Sequence, residues 1–255
     1  MPKAKDIYNF IDSIAPFDTA LDGDNVGLLV GDKNAKISKV GVCLDITEDA
    51  VKYAVENSID LIVSHHPVIF GGLKSVTADS VVYMMIKNGI TAICAHTNMD
   101  CAKGGVNDCL CDMLSLTDVK PMADSTVIGK PPIARVGTLK TALSTADFAE
   151  HVKASLNASG VKFCGDNSVK TVAVCGGSGA DLMLDAISLK ADAFVTSEIK
   201  QHQWLMAKSL GITVVDAGHF FTENVITAPL CELIKNEFDN LEVVMIPQSA
   251  PYNEL

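Results

Sequence analysis

The sequence predicts an α/β fold built from two similar halves, and three observations carry that reading. Strand-length apolar runs alternate with stretches of helical periodicity, the pattern that produces a parallel sheet covered by helices. A strand, helix and strand beginning at Lys39 recur in the second half at one constant offset. That offset sets Val42-Cys43 on Val174-Cys175, Asp60 on Asp192, Val63 on Val195 and Ser64-His65-His66 on Thr196-Ser197-Glu198. Five of the six histidines stand at or just beyond the ends of the expected strands, where open α/β sheets bind ligands.

The elements follow in order. Ile7, Phe10, Ile11 and Ile14 give an amphipathic helix over residues 4–14, which Pro16 stops. The stretch Asp22-Gly-Asp-Asn-Val-Gly-Leu-Leu-Val-Gly31 is a turn-rich loop feeding a short strand; a plain turn is the simplest reading of its acids, and contact with a ligand is the alternative. Val40 to Leu44 is a strand, Thr47 caps a helix with Glu48 and Asp49 in its first turn, and Asp60 to Ser64 is the next strand. Pro67 takes the chain off the sheet immediately after His65 and His66. A helix over residues 80–87 leads to a third strand, Thr91 to Ala95, which ends in His96-Thr-Asn-Met-Asp100. Gly104 and Gly105 precede a helical stretch to about Leu114, and Pro121 to Pro132 reads as a linker.

That linker divides the chain into halves of residues 1–125 and 126–255, with one compact domain as the alternative. The second half opens with an extended segment, Ile133 to Leu139, and a helix from near Thr145 that carries His151. Thr171 to Cys175 is its first repeated strand. Thr213-Val-Val-Asp-Ala-Gly-His219 parallels Thr91 to His96, so this half also places histidine after its third strand.

Composition narrows the classes of function. Hydrophobic residues make up 48% of 255 and charged residues 20%, which excludes a disordered or low-complexity chain. A net charge of -11 without any basic run argues against nucleic acid as a partner. No apolar run is long enough for a membrane span, and Met1-Pro-Lys-Ala-Lys-Asp6 lacks the apolar core of a signal peptide, so a soluble, cytoplasmic protein is expected. The eight cysteines are then expected to be reduced; Cys43, Cys94 and Cys175 fall in strands, and Cys101, Cys109 and Cys111 match no common metal spacing.

The histidines concentrate the chemistry. Two adjacent imidazoles on a strand-end rim, His65 and His66, can hold one metal, bridge two, or share acid/base work. His96, His202 and His219 join them at strand ends, and Asp100, Glu198 and Glu223 supply carboxylates. His219 and Glu223 are four apart and share a helix face if a helix starts near Gly218. Mixed nitrogen and carboxylate ligands suit a divalent first-row ion, with zinc, iron and manganese all permitted, in an open, water-bearing site. Hydrolysis is the natural chemistry of such a site.

Six ordered motifs resemble one family, the Nif-three-like proteins, many of them labelled GTP cyclohydrolase 1 type 2 homologues. They are Asp24-Asn-Val-Gly-Leu-Leu-Val-Gly31, Cys43-Leu-Asp-Ile-Thr47, Ser64-His-His-Pro67 with Phe70, His96-Thr-Asn-Met-Asp100, Cys175-Gly-Gly-Ser-Gly179 and Ala217-Gly-His-Phe-Phe-Thr-Glu223. The resemblance implies two three-layer α/β halves facing each other across a dinuclear metal site held by His65, His66, Asp100, His219 and Glu223. His96 and His202 would neighbour the metals and move protons. It also implies two divalent ions per subunit, a ring-shaped homohexamer, and no inserted middle domain in this chain. Where the family commonly has Glu and Trp this chain has Asp22 and Gly23, and Glu198 and Phe220 replace a family Asp and Tyr. No proposed ligand is lost by these departures.

The activity that the label implies is opening of the imidazole ring of GTP with release of formate, leading to dihydroneopterin triphosphate. A metal-dependent phosphoesterase and a non-enzymatic protein that stores, delivers or senses metal are the alternatives. Gly176-Gly-Ser-Gly179 offers a phosphate site at a helix N-terminus or, more simply, a tight turn, and Lys74, Lys103 and Lys200 are candidate partners for a phosphorylated or nucleotide substrate.

Overall fold

The computed structural model describes residues 1–122 and 131–253. Along the chain these form α1 (Ala4–Ile14), β1 (Gly27–Val30), β2 (Lys39–Cys43), α2 (Glu48–Glu56), β3 (Leu61–Ser64), α3 (Val81–Lys87), β4 (Thr91–Cys94), α4 (Thr97–Cys101), α5 (Val106–Met113), β5 (Thr117–Met122) and β6 (Ala134–Ser144). There follow α6 (Thr145–Ser155), β7 (Lys162–Cys164), β8 (Ser168–Val174), α7 (Met183–Ser188), β9 (Ala193–Thr196), α8 (Gln201–Leu210), β10 (Thr213–Asp216), α9 (His219–Glu223), α10 (Thr227–Glu237) and β11 (Glu242–Met245).

The helix signals act as their chemistry demands. The Thr47 hydroxyl accepts from the backbone N–H of Ala50 at 3.1 Å and opens α2, and the Ser80 hydroxyl accepts from Tyr83 and opens α3. α1 buries Ala4, Ile7 and Ile11 along one stripe.

Two compact units result. The first comprises Met1–Ala102 and Ile226–Ser249, so α10 and β11 belong with the N-terminal elements. Its sheet runs β1-β4-β3-β2-β11, with β4, β3, β2 and β11 parallel and β1 antiparallel at the edge. One face of this sheet packs Ile62 and Ala92 against Val51 and Ala54 of α2 and Met85 of α3. Leu61, Val63 and Ile93 point to the other face and are fully buried.

The second unit comprises Lys103–Val225 and the residues from Ala250. Its sheet runs β5-β6-β8-β9-β10-β7, with the parallel core β8-β9-β10 flanked by antiparallel strands. Val172, Val174, Val195 and Val215 pack on Leu110 of α5 and Phe148 of α6. The alternate residues Ala173, Phe194 and Val214 pack on Met183 of α7 and Ala207 of α8. That alternation is what a sheet covered on both faces requires.

The repeat holds in the hydrogen bonds as well as in the sequence. β2 and β3 pair Val40 with Leu61 and Val42 with Val63, and at the same offset β8 and β9 pair Val172 with Ala193 and Val174 with Val195. The Asp60 carboxylate accepts from the N–H groups of Ser38 and Lys39, as the Asp192 carboxylate does from Lys170 and Thr171. The antiparallel edge strands β1 and β7 are each followed by a glycine at positive φ that lies against the neighbouring strand. A Cβ on Gly31 would lie 2.9 Å from Thr91 Cα, and one on Gly165 would lie 2.8 Å from Thr213 Cα. Gly31→Ala is therefore expected to lower the unfolding free energy by about 2–5 kcal/mol, the sum of a positive-φ alanine and overpacking against backbone, measured by urea denaturation.

Several expectations change. Pro121 and Met122 close strand β5 rather than open a linker: β5 is an edge strand, where proline loses no ladder bond to a neighbour. Residues 123–130, which hold the rest of that linker and the expected boundary between 125 and 126, lie outside the described residues. The segment after His96 is the short helix α4, and Cys175 lies one residue past β8. As expected, none of the eight cysteines is in a disulfide, and burial pushes the thiols of Cys109 and Cys111 up to about 11 and about 12, which disfavours the thiolate a metal would need.

Candidate metal centre

In the first unit the strand ends deliver three imidazoles to one place. The backbone N–H groups of His65 and His66 donate to the carbonyls of Cys43 and Leu44, so the chain keeps pairing with its neighbour as it leaves β3. The Ser64 hydroxyl then fixes the turn by donating to the His66 carbonyl at 2.7 Å. His96 is the residue before α4. The His65, His66 and His96 rings lie with centroids 5.1, 5.2 and 5.5 Å apart, and each can offer one nitrogen within 4.8 Å of the others.

Each ring is held from behind. His65 Nδ1 meets the Ala95 carbonyl at 2.9 Å, His66 Nδ1 meets Asp45 at 2.8 Å, and His96 Nδ1 meets Asp24 at 2.8 Å. Carbonyl and carboxylate oxygens can only accept, so Nδ1 donates in each ring and Nε2 is the nitrogen that can take a metal or a proton. An acceptor behind each histidine is how metal-binding imidazoles are oriented.

Asp100 joins this cluster. Its side chain and that of His65 are almost fully buried, and Asp100 Oδ1 stands 3.6 Å from His65 Nε2. That separation is too long for a hydrogen bond and suits two ligands bonded at about 2.1 Å to one ion.

Asp24, expected to be a plain turn acid, is part of the support. Burial raises its pKa, but hydrogen bonds from His96 and from the Thr97 hydroxyl and N–H outweigh that and hold the carboxyl well below its ordinary range. A depressed carboxyl stabilises the fold above its unfolded pKa, and that contribution disappears as pH falls through the folded value. In the metal-free protein, the stability deficit of Asp24→Asn should be full at pH 7 and shrink below about pH 4, as followed by urea midpoints across that range.

The second unit builds a matching pair. Gly218, at φ 82°, precedes α9, so the helix begins at His219 as its spacing required. His219 Nε2 lies 2.8 Å from Glu223 Oε2, and Nδ1 lies 2.9 Å from Glu198 Oε1. His219 thus meets a carboxylate at each ring nitrogen, and a cation that displaced the proton between Nε2 and Glu223 would have both as ligands. Glu198 adopts φ 56°, a strained conformation for a side chain other than glycine or asparagine. It occupies the position that the repeat equates with His66.

The Gly176-Gly-Ser-Gly179 stretch serves this pair as a turn. Gly176 and Gly177 donate their N–H groups to Asn107 and Thr222, and Gly179 donates to Thr196, which leaves none of these three N–H groups for a phosphate. Gly177 sits at φ +62°, and a Cβ there would run into the Glu223 carboxylate and stand 3.2 Å from His219 Nε2. Only glycine lets the turn approach the two side chains this closely.

His202 is exposed in the first turn of α8, with no hydrogen bond or ion pair among the described residues. His151 lies on α6, its Nε2 3.0 Å from the Leu114 carbonyl. The residues that sequence reasoning missed are the orienting acceptors. Asp24 and Asp45 stand 72 and 21 positions from the histidines they hold, and their signal was their place in strand-end motifs.

An α/β protein with buried His and carboxylate groups at its strand ends is the class that this geometry defines. The chain belongs to the Duf34/NIF3 (NGG1p interacting factor 3) family, whose profile matches residues 2–251. It is 34% identical over 244 residues to a GTP cyclohydrolase 1 type 2 homolog of Clostridium perfringens, covering 93% of each chain. It is 31% identical over 252 residues to one of Methanocaldococcus jannaschii, covering 96% of this chain and 99% of that one. In structure it is similar to Staphylococcus aureus protein SA1388, with a TM-score of 0.92, 27% identity and coverage of 100% and 99%. A Bacillus cereus protein related to NIF3 shares the fold at a TM-score of 0.93 and 24% identity, also covering 100% and 99%. No helix among the described residues is long and apolar enough to cross a membrane.

Proposed function

We propose that this protein is a dinuclear-metal-dependent hydrolase of the GTP cyclohydrolase 1 type 2 kind, with His65, His66, Asp100, His219 and Glu223 as its metal ligands. The observation that carries the reading is the orientation of the imidazoles. His65, His66, His96 and His219 each direct Nδ1 to an oxygen acceptor and so present Nε2. Nitrogen and carboxylate donors fit zinc, iron or manganese, and the family names of the relatives point to GTP as substrate.

Two bound divalent ions would supply Lewis acidity and an acidified water for attack on the imidazole ring of GTP. The remaining work belongs to the protein. His96 can take or give a proton at Nε2, and its Nδ1 contact with Asp24 holds the ring in place for it. Asp45 and Glu198 fix the planes of His66 and His219. A cytoplasmic, ring-shaped homohexamer is part of the same proposal, and sedimentation would measure the assembly.

The test is release of formate from GTP by metal-reconstituted protein. Turnover abolished by chelator and restored by one of the three metals supports the reading. Tightly bound metal without turnover of GTP would instead leave a metal-storing or metal-delivering protein. His96→Ala should lower kcat about 100-fold or more while leaving metal content unchanged, as measured by initial rates on reconstituted enzyme.

A further inference from the structure

We infer that Phe70 is an aromatic platform on which the planar part of a substrate stacks at the rim of the three-histidine cluster. This inference rests on the proposed hydrolase reading and names the class of compound its site would take. Val68 and Ile69 pack against the core, and the Asn25 amide donates to the Ile69 carbonyl at 2.6 Å, so the chain is fixed up to that residue. Phe70 then leaves the core and is 71% exposed. Gly71 and Gly72 follow it in open space.

The ring of Phe70 points towards the site. Its centroid is 6.0 Å from that of His96, nearly perpendicular, and 6.5 Å from that of His66. An isolated exposed phenylalanine is ordinary. One that a fixed loop base turns away from the core and towards two candidate catalytic and metal-binding imidazoles is placed for a ligand. Every nucleobase and every fused heterocycle has a π-face, so such a platform favours planar compounds without reading their edges. The predicted ligand class is therefore a heteroaromatic compound, with any phosphate groups bound by other parts of the protein.

Calorimetric titration of the metal-loaded chain tests this with guanosine, GTP and tripolyphosphate as probes. Phe70→Ala should weaken guanosine and GTP about 10-fold or more and leave tripolyphosphate and metal content unchanged. Phe70→Tyr should bind like the native protein, whereas Phe70→Leu, apolar but without a π-face, should remain as weak as alanine. Equal binding of guanosine by native and alanine forms, or an equal loss of tripolyphosphate, would overturn the platform. Formate release with unchanged guanosine binding by Phe70→Ala sinks the platform and leaves the hydrolase reading intact. Phe70-dependent guanosine binding without turnover of GTP sinks the hydrolase reading and leaves the platform. A native protein that binds none of the probes overturns both.

Discussion

Gly177→Ala is expected to lose about 2–5 kcal/mol of stability and to bind metal more weakly, although the change adds a single methyl group. Alanine at φ +62° carries about 1–2 kcal/mol of backbone strain. The methyl must also displace the Glu223 carboxylate and crowd His219 Nε2, which adds about 1–3 kcal/mol of overpacking. Gly211→Ala is the matched control. Gly211 ends α8 at φ +74° with nothing within 4 Å of an added Cβ, so it should lose only the backbone part. Urea denaturation of both variants gives the difference, and metal titration of each separates a misplaced Glu223 from a merely destabilised fold. Equal losses in the two variants would mean that the turn does not cradle the pair.

Glu223→Gln should bring the second large effect, a fall in metal affinity of about 100-fold or more with the fold intact. The amide keeps the size of the side chain and can still accept a hydrogen bond, but it removes the negative charge that a divalent ion needs. Removing an orienting group alone typically lowers affinity about 10- to 100-fold, so Glu198→Gln should fall in that lower range. Competition against a metal-chelating dye measures both. A Glu198 variant weaker than the Glu223 variant would reverse the roles assigned to the two carboxylates.

Much of this was legible in the sequence because local chemistry determined it. Thr47 and Ser80 announced their helices as caps, the apolar spacing of residues 4–14 gave α1, and β-branched runs gave the parallel strands. The histidines were legible because strand ends gather side chains whatever lies between them. The repeat added the register, since Asp60 and Asp192 tie equivalent backbone N–H groups in both units. Strands β5 and β7 escaped because edge strands need neither burial nor a clean alternation; β5 is mostly exposed and contains Pro121. Helix α4 escaped because five residues carry too little periodicity. The groups behind the histidines were hidden for a different reason. Asp24, Asp45 and the Ala95 carbonyl meet their imidazoles only after the chain has folded, and one of them is a backbone atom with no sequence signature at all.

The measurement that reaches the central claim most directly is metal content per chain, by elemental analysis, of native protein and of a His65→Ala, Glu223→Ala double variant purified alongside it. The account predicts about two divalent ions per native chain and markedly fewer in the variant, with far-ultraviolet circular dichroism unchanged. Equal metal in the two would contradict the ligand set and with it the hydrolytic reading.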